Sequence, residues 1–506
     1  MPFEVMIGKY ALESLTTGMY TDPFVIYREY IQNASDSIDE AIKQEILTKE
    51  QALIRITIDA ASRRIVIEDN GTGLTQSKAY HLLSDIGNST KIQGQSRGFR
   101  GIGRFSGLSY CDRLTFVTTY IDEARQYTIS YDAQKLRDVI SDQTDTVTAS
   151  HAMGTVISEH TNSCASGSHY FRVIMEGVHE ETNLLSIEET IRYLRAIAPV
   201  PYAKSFSWGN VIEAEIAKII GPIPTYRLIL ESSNNKVEIV KEYSDTFLLN
   251  RQTGATDQIH DIAFFPLVDR EGEKIGCVWY GLSSFVGTII GREIKGLRLR
   301  ASNILIGDYT SLNGIFKDSR FNGWVMGEVF IDNPRLIPNA RRDDFEHNAD
   351  YYYLLEQLKA LAIEITKTIR TASVKRNKEL AEAVERFVEI DKRANEAFSG
   401  ERISSSSKGS VSSRVNAAKN MLASPSSDEL SESIRQDVLE QLDILSGRIK
   451  GASSYKALNL ISGITKAEKI FLERIFNRIL EMHEKEVADK YIDMTLEALT
   501  DRSDES

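Results

Sequence analysis

The sequence predicts an α/β protein that continues into a strand-rich middle domain and an all-helical carboxyl-terminal region. Three observations predict this architecture. Residues 1–165 alternate helical and strand patterns, strand patterns resume at Tyr226 and run to about 350, and the pattern beyond is almost entirely helical. Hairpins mixed with helices in the first part are typical of an α/β sandwich built on a mixed sheet.

The length of the chain, 506 residues, is enough for two to four domains. The changes of pattern predict an α/β domain with a connecting helix, an α+β middle domain, a long helix, a Ser-rich linker and a final helical region. Their predicted boundaries are 1–220, 221–350, 351–399, 400–426 and 427–506.

Composition narrows the class of protein. The chain is 42% hydrophobic and 26% charged with a net charge of −12, which is typical of a globular protein and argues against a general nucleic-acid coat. Three widely spaced cysteines form no zinc pattern and no disulfide framework. No basic leader precedes an apolar run, and no apolar run reaches about eighteen residues. We therefore expect a cytoplasmic protein without a membrane partner.

The first motif is a helical pattern over 22–46, opened by Asp22 and Pro23. Glu29, Asn33 and Asp36 are spaced i, i+4 and i+7 in it, so they lie on one side of the helix. This spacing fits a polar site, and it also fits a solvated stripe with an ion pair.

The second motif follows two alternating strand patterns over 53–69, which predict a hairpin. Asp69 ends the second strand and is followed by Gly71 and Gly73. Glycines let the backbone approach a flat ligand, and the carboxylate accepts a hydrogen bond from an exocyclic amine. A tight turn without a ligand is the alternative.

The third motif is a glycine-rich segment over 86–109 with interspersed Ser, Thr, Lys and Arg. Free backbone amides where such a segment enters a helix favour phosphate oxygens, whereas the alternative is a flexible loop that binds nothing. A fourth, weaker motif places Gly154 and Thr155 at the start of a strand, where the hydroxyl would reach an adenine or a bridging water.

In order and spacing, the four motifs resemble those of the GHKL ATPase superfamily. Its members include the ATP-binding chain of DNA gyrase, the ninety-kilodalton heat-shock chaperones, histidine kinases, MutL and the related MORC proteins. The segments EYIQNASDSI, EDNGTGL and IGNSTK resemble the first motif, the second motif and the start of the lid of the chaperones. The resemblance covers the first 165 residues strongly, is closest to the heat-shock (HtpG-like), MutL and MORC branch, and implies the Bergerat α/β sandwich.

The resemblance also implies a chemistry, ATP hydrolysis with Mg²⁺. Glu29 would be the general base for the attacking water, Asn33 would bind Mg²⁺, and Asp69 would bind the adenine amine. A glutamate at this place favours hydrolysis over histidine phosphorylation. Further nucleotide contacts are implied for Asp36, Gly71, Gly73, Lys91, Gly101, Ile102, Gly103, Arg104, Phe105 and Thr155.

The middle region contributes a basic candidate. Residues 323–346 resemble the segment in which the heat-shock chaperones present a catalytic arginine, which places Arg342 at that position with Arg341 as a close rival. An arginine reaching the γ-phosphate stabilises charge that develops on transfer. A surface arginine pair is the alternative, and Lys295 is a weaker candidate of the kind that MutL and gyrase use.

We therefore expect a Mg²⁺-dependent ATPase that works as a homodimer and closes on ATP. Near-heptad apolar spacing in the carboxyl-terminal helices fits either a dimerisation element or an intramolecular bundle. Three hypotheses for the cycle stay open: chaperone-like remodelling of a protein client, a DNA or RNA clamp, and a nucleotide-gated scaffold in a bacterial system such as phage defence.

Overall fold

A computed structural model describes residues 7–16, 22–84, 101–142, 147–233, 235–399, 402–423, 429–455 and 464–501. The chain divides into two compact units. The first holds Met1–Asn250, Gln258–Ser283 and Thr288–Thr366, and the second holds Arg251–Asp257, Ser284–Gly287 and Lys367–Ser506. Mixed α/β structure at the amino-terminal end and helices at the carboxyl-terminal end confirm the predicted fold class.

Helices and strands alternate in the first part of the chain, and helices predominate in the last part. In the described residues the helices α1 to α12 are Tyr10–Thr16, Val25–Lys43, Gln76–Ser84, Ala133–Ser141, Ala149–Gly154, Ile187–Ile197, Gly209–Ile220, Ala349–Ala397, Ser405–Met421, Glu429–Gly451, Lys466–Met482 and Lys485–Asp501. The strands β1 to β18 are Leu53–Asp59, Arg64–Asp69, Arg113–Tyr120, Glu123–Asp132, Ile157–Ser163, Tyr170–Glu176, Arg227–Ser232, Lys236–Ile239, Thr246–Leu248, Thr256–Gln258, Asp261–Val268, Lys274–Leu282, Gly296–Ala301, Ile304–Leu305, Met326–Ile331, Phe398–Ser399, Arg402–Ser404 and Ser453–Tyr455.

The first sheet has eight strands in the order β5-β4-β3-β6-β2-β1-β7-β8. Its predicted hairpin forms, with Ile56 opposite Ile67 and Ile58 opposite Ile65. These isoleucines belong to the same core as Ile31 of α2, because strand residues two apart share a face. The sheet thereby fixes the end of β2 beside α2.

The boundary predicted at residue 220 differs from the structure. β7 pairs in parallel with β1, and β8 pairs with β7, so both strands extend the first sheet. The apolar run of β7 is where strand patterns resume after Tyr226, which predicts the start of the middle domain. Parallel pairing with a strand some 170 residues earlier leaves no local pattern in the sequence.

A second sheet of five strands, in the order β11-β12-β15-β13-β14, forms the middle region of the first unit. Its core surrounds a buried carboxylate, Glu328 of β15, which is 0% exposed. Oε2 accepts hydrogen bonds from the Tyr202 hydroxyl at 2.5 Å and the Lys241 ammonium at 2.9 Å. Oε1 accepts one from Nε of Arg300. These hydrogen bonds compensate the free-energy cost of burying the charge of Glu328.

The pKa of Glu328 reflects this environment. Burial by itself raises the pKa of a carboxyl group, but Arg300 and Lys241 outweigh burial and lower the pKa of Glu328 from 4.5 to about 2. The group is therefore ionised at neutral pH. The network also extends beyond the sheet, since Arg300 donates to the carbonyl of Ala196 in α6 at 2.9 Å.

The second unit is mostly helical, and it differs from the prediction at the Ser-rich segment. α9 occupies 405–421 of the linker predicted over 400–426. Its Val411, Val415 and Ala418 are buried in a core shared with α8 and α10. These small apolar residues recur at helical spacing among the serines, and tertiary packing outweighs the weak helix propensity of serine.

Candidate functional site

The three polar residues of the first motif lie on α2. Glu29 is buried, whereas Asn33 and Asp36 are half-buried. The opposite face of α2 packs on the first sheet through its apolar residues. The predicted line of acid, amide and acid therefore lies on the side of α2 that faces away from the sheet.

The turn after β2 packs tightly against α2. The carboxylate of Asp69 is 3% exposed and accepts a hydrogen bond from the amide of Gly71 at 2.9 Å. A Cβ on Gly71 would lie 2.1 Å from Oγ of Ser37, and one on Gly73 would lie 1.8 Å from the carbonyl oxygen of Thr119. Gly73 has a φ of +64°. Only glycine fits at either position, so the two glycines keep the turn close to α2 and β3.

The glycine-rich segment reaches Glu29 directly. Residues Gly103–Ser109 form a short 3₁₀-helix. A Cβ on Gly103 would lie 2.0 Å from Oε2 of Glu29. The absence of a side chain at this position lets the backbone of Gly103 lie next to the predicted general base.

Tyr30 fastens this 3₁₀-helix to α2. Its hydroxyl donates to the carbonyl of Arg104 at 3.0 Å and accepts from the amide of Gly107 at 3.1 Å. Burial raises the pKa of Tyr30 well above its ordinary value, so the phenol keeps its proton and its donor role. Sequence reasoning missed Tyr30, although its place beside Glu29 on a buried helix was a usable signal.

Local hydrogen bonds already occupy part of the predicted phosphate-binding backbone. The amide of Phe105 donates to the carbonyl of Ile102 at 2.9 Å, and Nε of Arg104 donates to the carbonyl of Gly101 at 3.1 Å. Contact between this stretch of backbone and phosphates stays a prediction. Lys91, the other predicted phosphate ligand, lies outside the described residues.

Thr155 does not begin a strand. It caps the carboxyl-terminal end of α5, and its hydroxyl donates to the carbonyl of Ala152 at 2.8 Å. Strand β5 begins two residues later, at Ile157. A short helix before the strand shifted the boundary, and threonine often bonds back to a helical carbonyl. Its predicted adenine contact stays untested.

The middle region supplies the partner of Glu29. Nε of Arg342 lies 3.1 Å from Oε1 of Glu29, and both side chains are 9% exposed. Arg342 has a φ of +57°, in the left-handed region that non-glycine residues seldom adopt. The amide of Arg342 donates to the carbonyl of Asn339 at 3.2 Å, which closes a tight turn at this point.

Arg28 holds that turn in place. Its guanidinium donates to the carbonyl of Arg341 at 2.8 Å and to the carbonyl of Arg342 at 3.4 Å. Arg28 is 8% exposed and is a second residue that sequence reasoning missed. Its signal was its position, since a charged residue next to Glu29 on a buried helix face requires a partner.

These contacts distinguish the three basic residues that were predicted to reach the phosphate. Arg342 is buried against Glu29, whereas the side chain of Arg341 is exposed. Lys295 packs with its Cε against Gly323, and its ammonium lies 5.8 Å from the ring centroid of Tyr309. Proximity to Glu29 therefore distinguishes Arg342 from its rivals.

The polar side chains of the candidate site fit a bound nucleotide better than a metal ion held by protein ligands alone. Across the parts of the chain that the structure describes, no three His, Cys, Asp or Glu side chains are grouped to hold a metal. Mg²⁺ usually takes few protein ligands and completes its shell with phosphate and water. An amide oxygen such as that of Asn33 suits this pattern.

The part of the chain that contains these residues matches a known protein family. Residues 21–167 match the family described as histidine kinase-, DNA gyrase B-, and HSP90-like ATPase. Residues 21–167 are thus similar to the ATPase domains of the GHKL superfamily. The match contains α2, the turn after Asp69 and the 3₁₀-helix at Gly103–Ser109, so the resemblance seen in the sequence is confirmed.

Three relatives of this chain are each named chaperone protein HtpG. Chaperone protein HtpG of Chlorobium phaeobacteroides is 32% identical over 130 residues, 22% of this chain and 21% of that protein. HtpG of Polaromonas naphthalenivorans is 30% identical over 122 residues, 21% of this chain and 19% of that protein. HtpG of Clostridium acetobutylicum is 20% identical over 376 residues, 70% of this chain and 56% of that protein.

The matched regions cover about a fifth of the first two relatives and about half of the third. The longest match extends well beyond the GHKL domain of this chain. Among the described helices, none combines the length and the apolar character that crossing a membrane requires.

Proposed function

We propose that this chain binds ATP with Mg²⁺ in its GHKL domain and hydrolyses it to ADP and phosphate. The observation that carries the proposal is the buried pair of Glu29 and Arg342 beside the glycine-rich helix. A carboxylate and an arginine from distant parts of the chain meet, and they are the residues that the resemblance assigns to the attacking water and to the γ-phosphate. The GHKL match and the HtpG relatives support the same interpretation.

Each residue then has a defined task. The buried carboxylate of Asp69 accepts a hydrogen bond from the adenine amine, and Gly71 and Gly73 let the turn that carries it pack against α2 and β3. The amide oxygen of Asn33 holds Mg²⁺, which when bound neutralises phosphate charge. Glu29 accepts the proton of the attacking water.

The pair of Glu29 and Arg342 makes hydrolysis conditional. While Arg342 is bound to Glu29, its charge is compensated by the carboxylate and is not directed at a phosphate. When Arg342 moves to the γ-phosphate, it stabilises the developing negative charge, and Glu29 becomes available to the water. The turn held by Arg28 is therefore the element whose movement starts the reaction.

The two neighbouring arginines give a matched test of this mechanism. We expect Arg342→Ala to lower kcat for Mg²⁺-dependent ATP hydrolysis about 100-fold, the loss typical of one group that stabilises transition-state charge. The exposed neighbour serves as control, and Arg341→Ala should stay within about twofold of wild type. Steady-state phosphate release and ATP binding by calorimetry measure both steps. Equal rates for the two variants would refute the role of Arg342.

We propose further that the cycle remodels protein clients, because the relatives that match the longest part of the chain are named chaperones. A nucleic-acid clamp is the main rival, and the same assay distinguishes them. Stimulation of ATP hydrolysis by an unfolded protein supports remodelling. Stimulation by DNA or RNA instead would assign the clamp, and binding of ATP without turnover would assign the scaffold.

The carboxyl-terminal helices offer a surface for a homodimer. Phe476 of α11 is buried against Ile492 of α12. The outer sides of both helices expose large apolar side chains, including Phe471 at 64% and Tyr491 at 48%. On α12 the exposed apolar residues follow the 4-3-4 spacing of a coiled-coil seam; they are Val487, Tyr491, Met494 and Ala498. We propose that a second copy of the chain covers this seam.

Replacing exposed apolar side chains of α11 and α12 tests the proposed dimer. We expect the double variant Phe471→Ser, Tyr491→Ser to weaken self-association at least about 100-fold, since two large apolar side chains no longer become buried. Sedimentation equilibrium of the full chain gives the dissociation constant. The double variant Glu486→Ser, Lys490→Ser removes two exposed side chains beside the seam and should leave the constant unchanged. A monomeric wild type at high concentration would contradict the proposal.

A further inference from the structure

A histidine directly before β6, His169, contacts the turn that follows Asp69. Its ring nitrogen Nδ1 lies 2.9 Å from the carbonyl oxygen of Gly71 and 3.1 Å from that of Asn70. A carbonyl oxygen only accepts hydrogen bonds, so Nδ1 carries a proton that the two carbonyls share. The region that matches the ATPase family ends at residue 167, two residues before this histidine.

The peptide group between Asn70 and Gly71 connects His169 to Asp69. Its carbonyl accepts from Nδ1 of His169, and its N–H, the amide of Gly71, donates to Oδ1 of Asp69 at 2.9 Å. A donor on the carbonyl polarises a peptide group and strengthens its N–H as a donor. The imidazole, the peptide group and the carboxylate therefore form one continuous chain of hydrogen bonds.

This chain of hydrogen bonds fixes the orientation of the Asp69 carboxylate. Rotation about χ2 of an aspartate is otherwise broad, because the torsion joins an sp³ carbon to an sp² carbon. Asp69 is 3% exposed, so its bond from the amide of Gly71 lies in a medium of low dielectric constant, where it is stronger than in water. A ligand amine that reaches Asp69 therefore meets a carboxylate of fixed orientation.

Two buried threonines of β3 hold the backbone next to His169. Oγ1 of Thr119 accepts from the amide of Tyr170 at 3.2 Å, and Oγ1 of Thr118 donates to the carbonyl of Tyr170 at 3.1 Å. Both threonines are 0% exposed. Oγ1 of Thr118 also accepts from the amide of Leu74 at 2.9 Å, so β3 holds the far end of the turn as well. The imidazole is thereby fixed relative to the turn that it contacts.

We propose that His169 is a positioning residue that determines the preference of the nucleotide site for adenine. It acts through the peptide group between Asn70 and Gly71 and holds the carboxylate of Asp69 in the orientation that accepts an exocyclic amine. The inference rests on the proposed function, in which that carboxylate binds adenine. A purine with a keto oxygen in place of the amine, as in inosine triphosphate, presents an acceptor to an acceptor and gains nothing from this orientation.

The two nucleotides together test this role. Calorimetry of the full-length protein with Mg²⁺ gives the dissociation constants of ATP and inosine triphosphate, and we expect wild type to bind ATP more tightly. His169→Ala should weaken ATP binding about tenfold, the loss typical of a hydrogen bond in a chain that ends on a charged group. Binding of inosine triphosphate should stay within about twofold of wild type. Equal weakening of both nucleotides would mean a general loosening of the turn and would overturn the proposal.

Two further substitutions test the atom that donates. The side-chain nitrogen of asparagine is as many bonds from Cβ as Nδ1 of histidine, whereas that of glutamine is one bond farther. His169→Asn should therefore keep the ratio of the two dissociation constants within about threefold of wild type, and His169→Gln should lose it as His169→Ala does. The reverse order would overturn the assignment of Nδ1. Melting temperatures show whether His169→Ala is folded, and the comparison of Asn with Gln decides by itself if it is not.

A second histidine of the same sheet provides the control. His160 is exposed in β5, and His160→Ala should change neither dissociation constant. If wild type bound ATP no more tightly than inosine triphosphate, the role of His169 would be refuted while the proposed function remained. If wild type bound neither nucleotide, the proposed function would be refuted, and this inference with it.

Discussion

Replacement of Glu29 by Gln is expected to lower the rate of ATP hydrolysis by about 10²–10⁴-fold while ATP binding is kept, because general-base catalysis typically contributes this much. The carboxylate lies next to Gly103 and Arg342, and the Gln carbonyl oxygen still accepts the hydrogen bond from Nε of Arg342. The variant therefore keeps the shape of the site and removes only the basic group.

The assay needs a substitution of the same kind outside the site. Glu45→Gln, at an exposed residue just beyond the carboxyl-terminal end of α2, makes the same chemical change and should hydrolyse ATP at the wild-type rate. Single-turnover phosphate release at saturating ATP measures the chemical step, and calorimetry measures binding. Undiminished turnover in Glu29→Gln would show that another group accepts the proton and would remove Glu29 from the mechanism.

Loss of the buried carboxylate of the middle region is expected to lower the stability of the first unit. We expect Glu328→Gln to destabilise the first unit by about 3–5 kcal/mol, since loss of one partner leaves buried charges without compensation. Lys241 and Arg300 are 2% and 1% exposed, so water does not replace the missing carboxylate. Their ion pairs with Glu328 are the contacts that are lost.

Urea unfolding followed by tryptophan fluorescence measures this loss. The three tryptophans of the chain, Trp208, Trp279 and Trp324, all lie in the first unit and report its unfolding. Glu238→Gln is the matched control, because that carboxylate is 51% exposed and its ion pair with Arg227 is worth less than about 1 kcal/mol. Equal unfolding midpoints for the two variants would contradict the expectation.

The same carboxylate predicts a pH dependence with a definite sign. The pKa of Glu328 is about 2 in the folded chain, below its ordinary value of 4.5. The unfolded state therefore binds the proton more readily, so the stabilisation is complete above about pH 4.5 and is lost as the pH falls toward 2. Glu328→Gln should flatten the stability profile in this range, and an unchanged profile would assign acid unfolding to other groups.

The sequence was sufficient for the parts of the site that depend on local order. The spacing of Glu29, Asn33 and Asp36 placed them on one side of a helix, because helical periodicity is a local property. Asp69 at the end of a strand, followed by Gly71 and Gly73, predicted a turn that either approaches a flat ligand or is simply tight, and the structure contains a close-packed turn. The fold class followed from the same local patterns and is confirmed.

Local patterns failed where distant segments pack together. The pattern of β7 and β8 predicted the start of the middle domain, and only their pairing with β1 assigns them to the first sheet. The Ser-rich segment predicted a linker, and only the shared core with α8 and α10 explains α9. Tertiary burial outweighs propensity in such cases, and one sequence does not reveal which distant surface provides it.

The sequence by itself determined which residues carry charge and which stretch of chain holds each motif, since both follow from composition and period. Only the tertiary structure decided that Arg342 rather than Arg341 meets Glu29, 313 residues away. It also decided that His169 contacts the carbonyl of Gly71, 98 residues away, in the turn after Asp69. Both results depend on which side chain a fold turns inward, and that is fixed by packing between segments far apart in the chain.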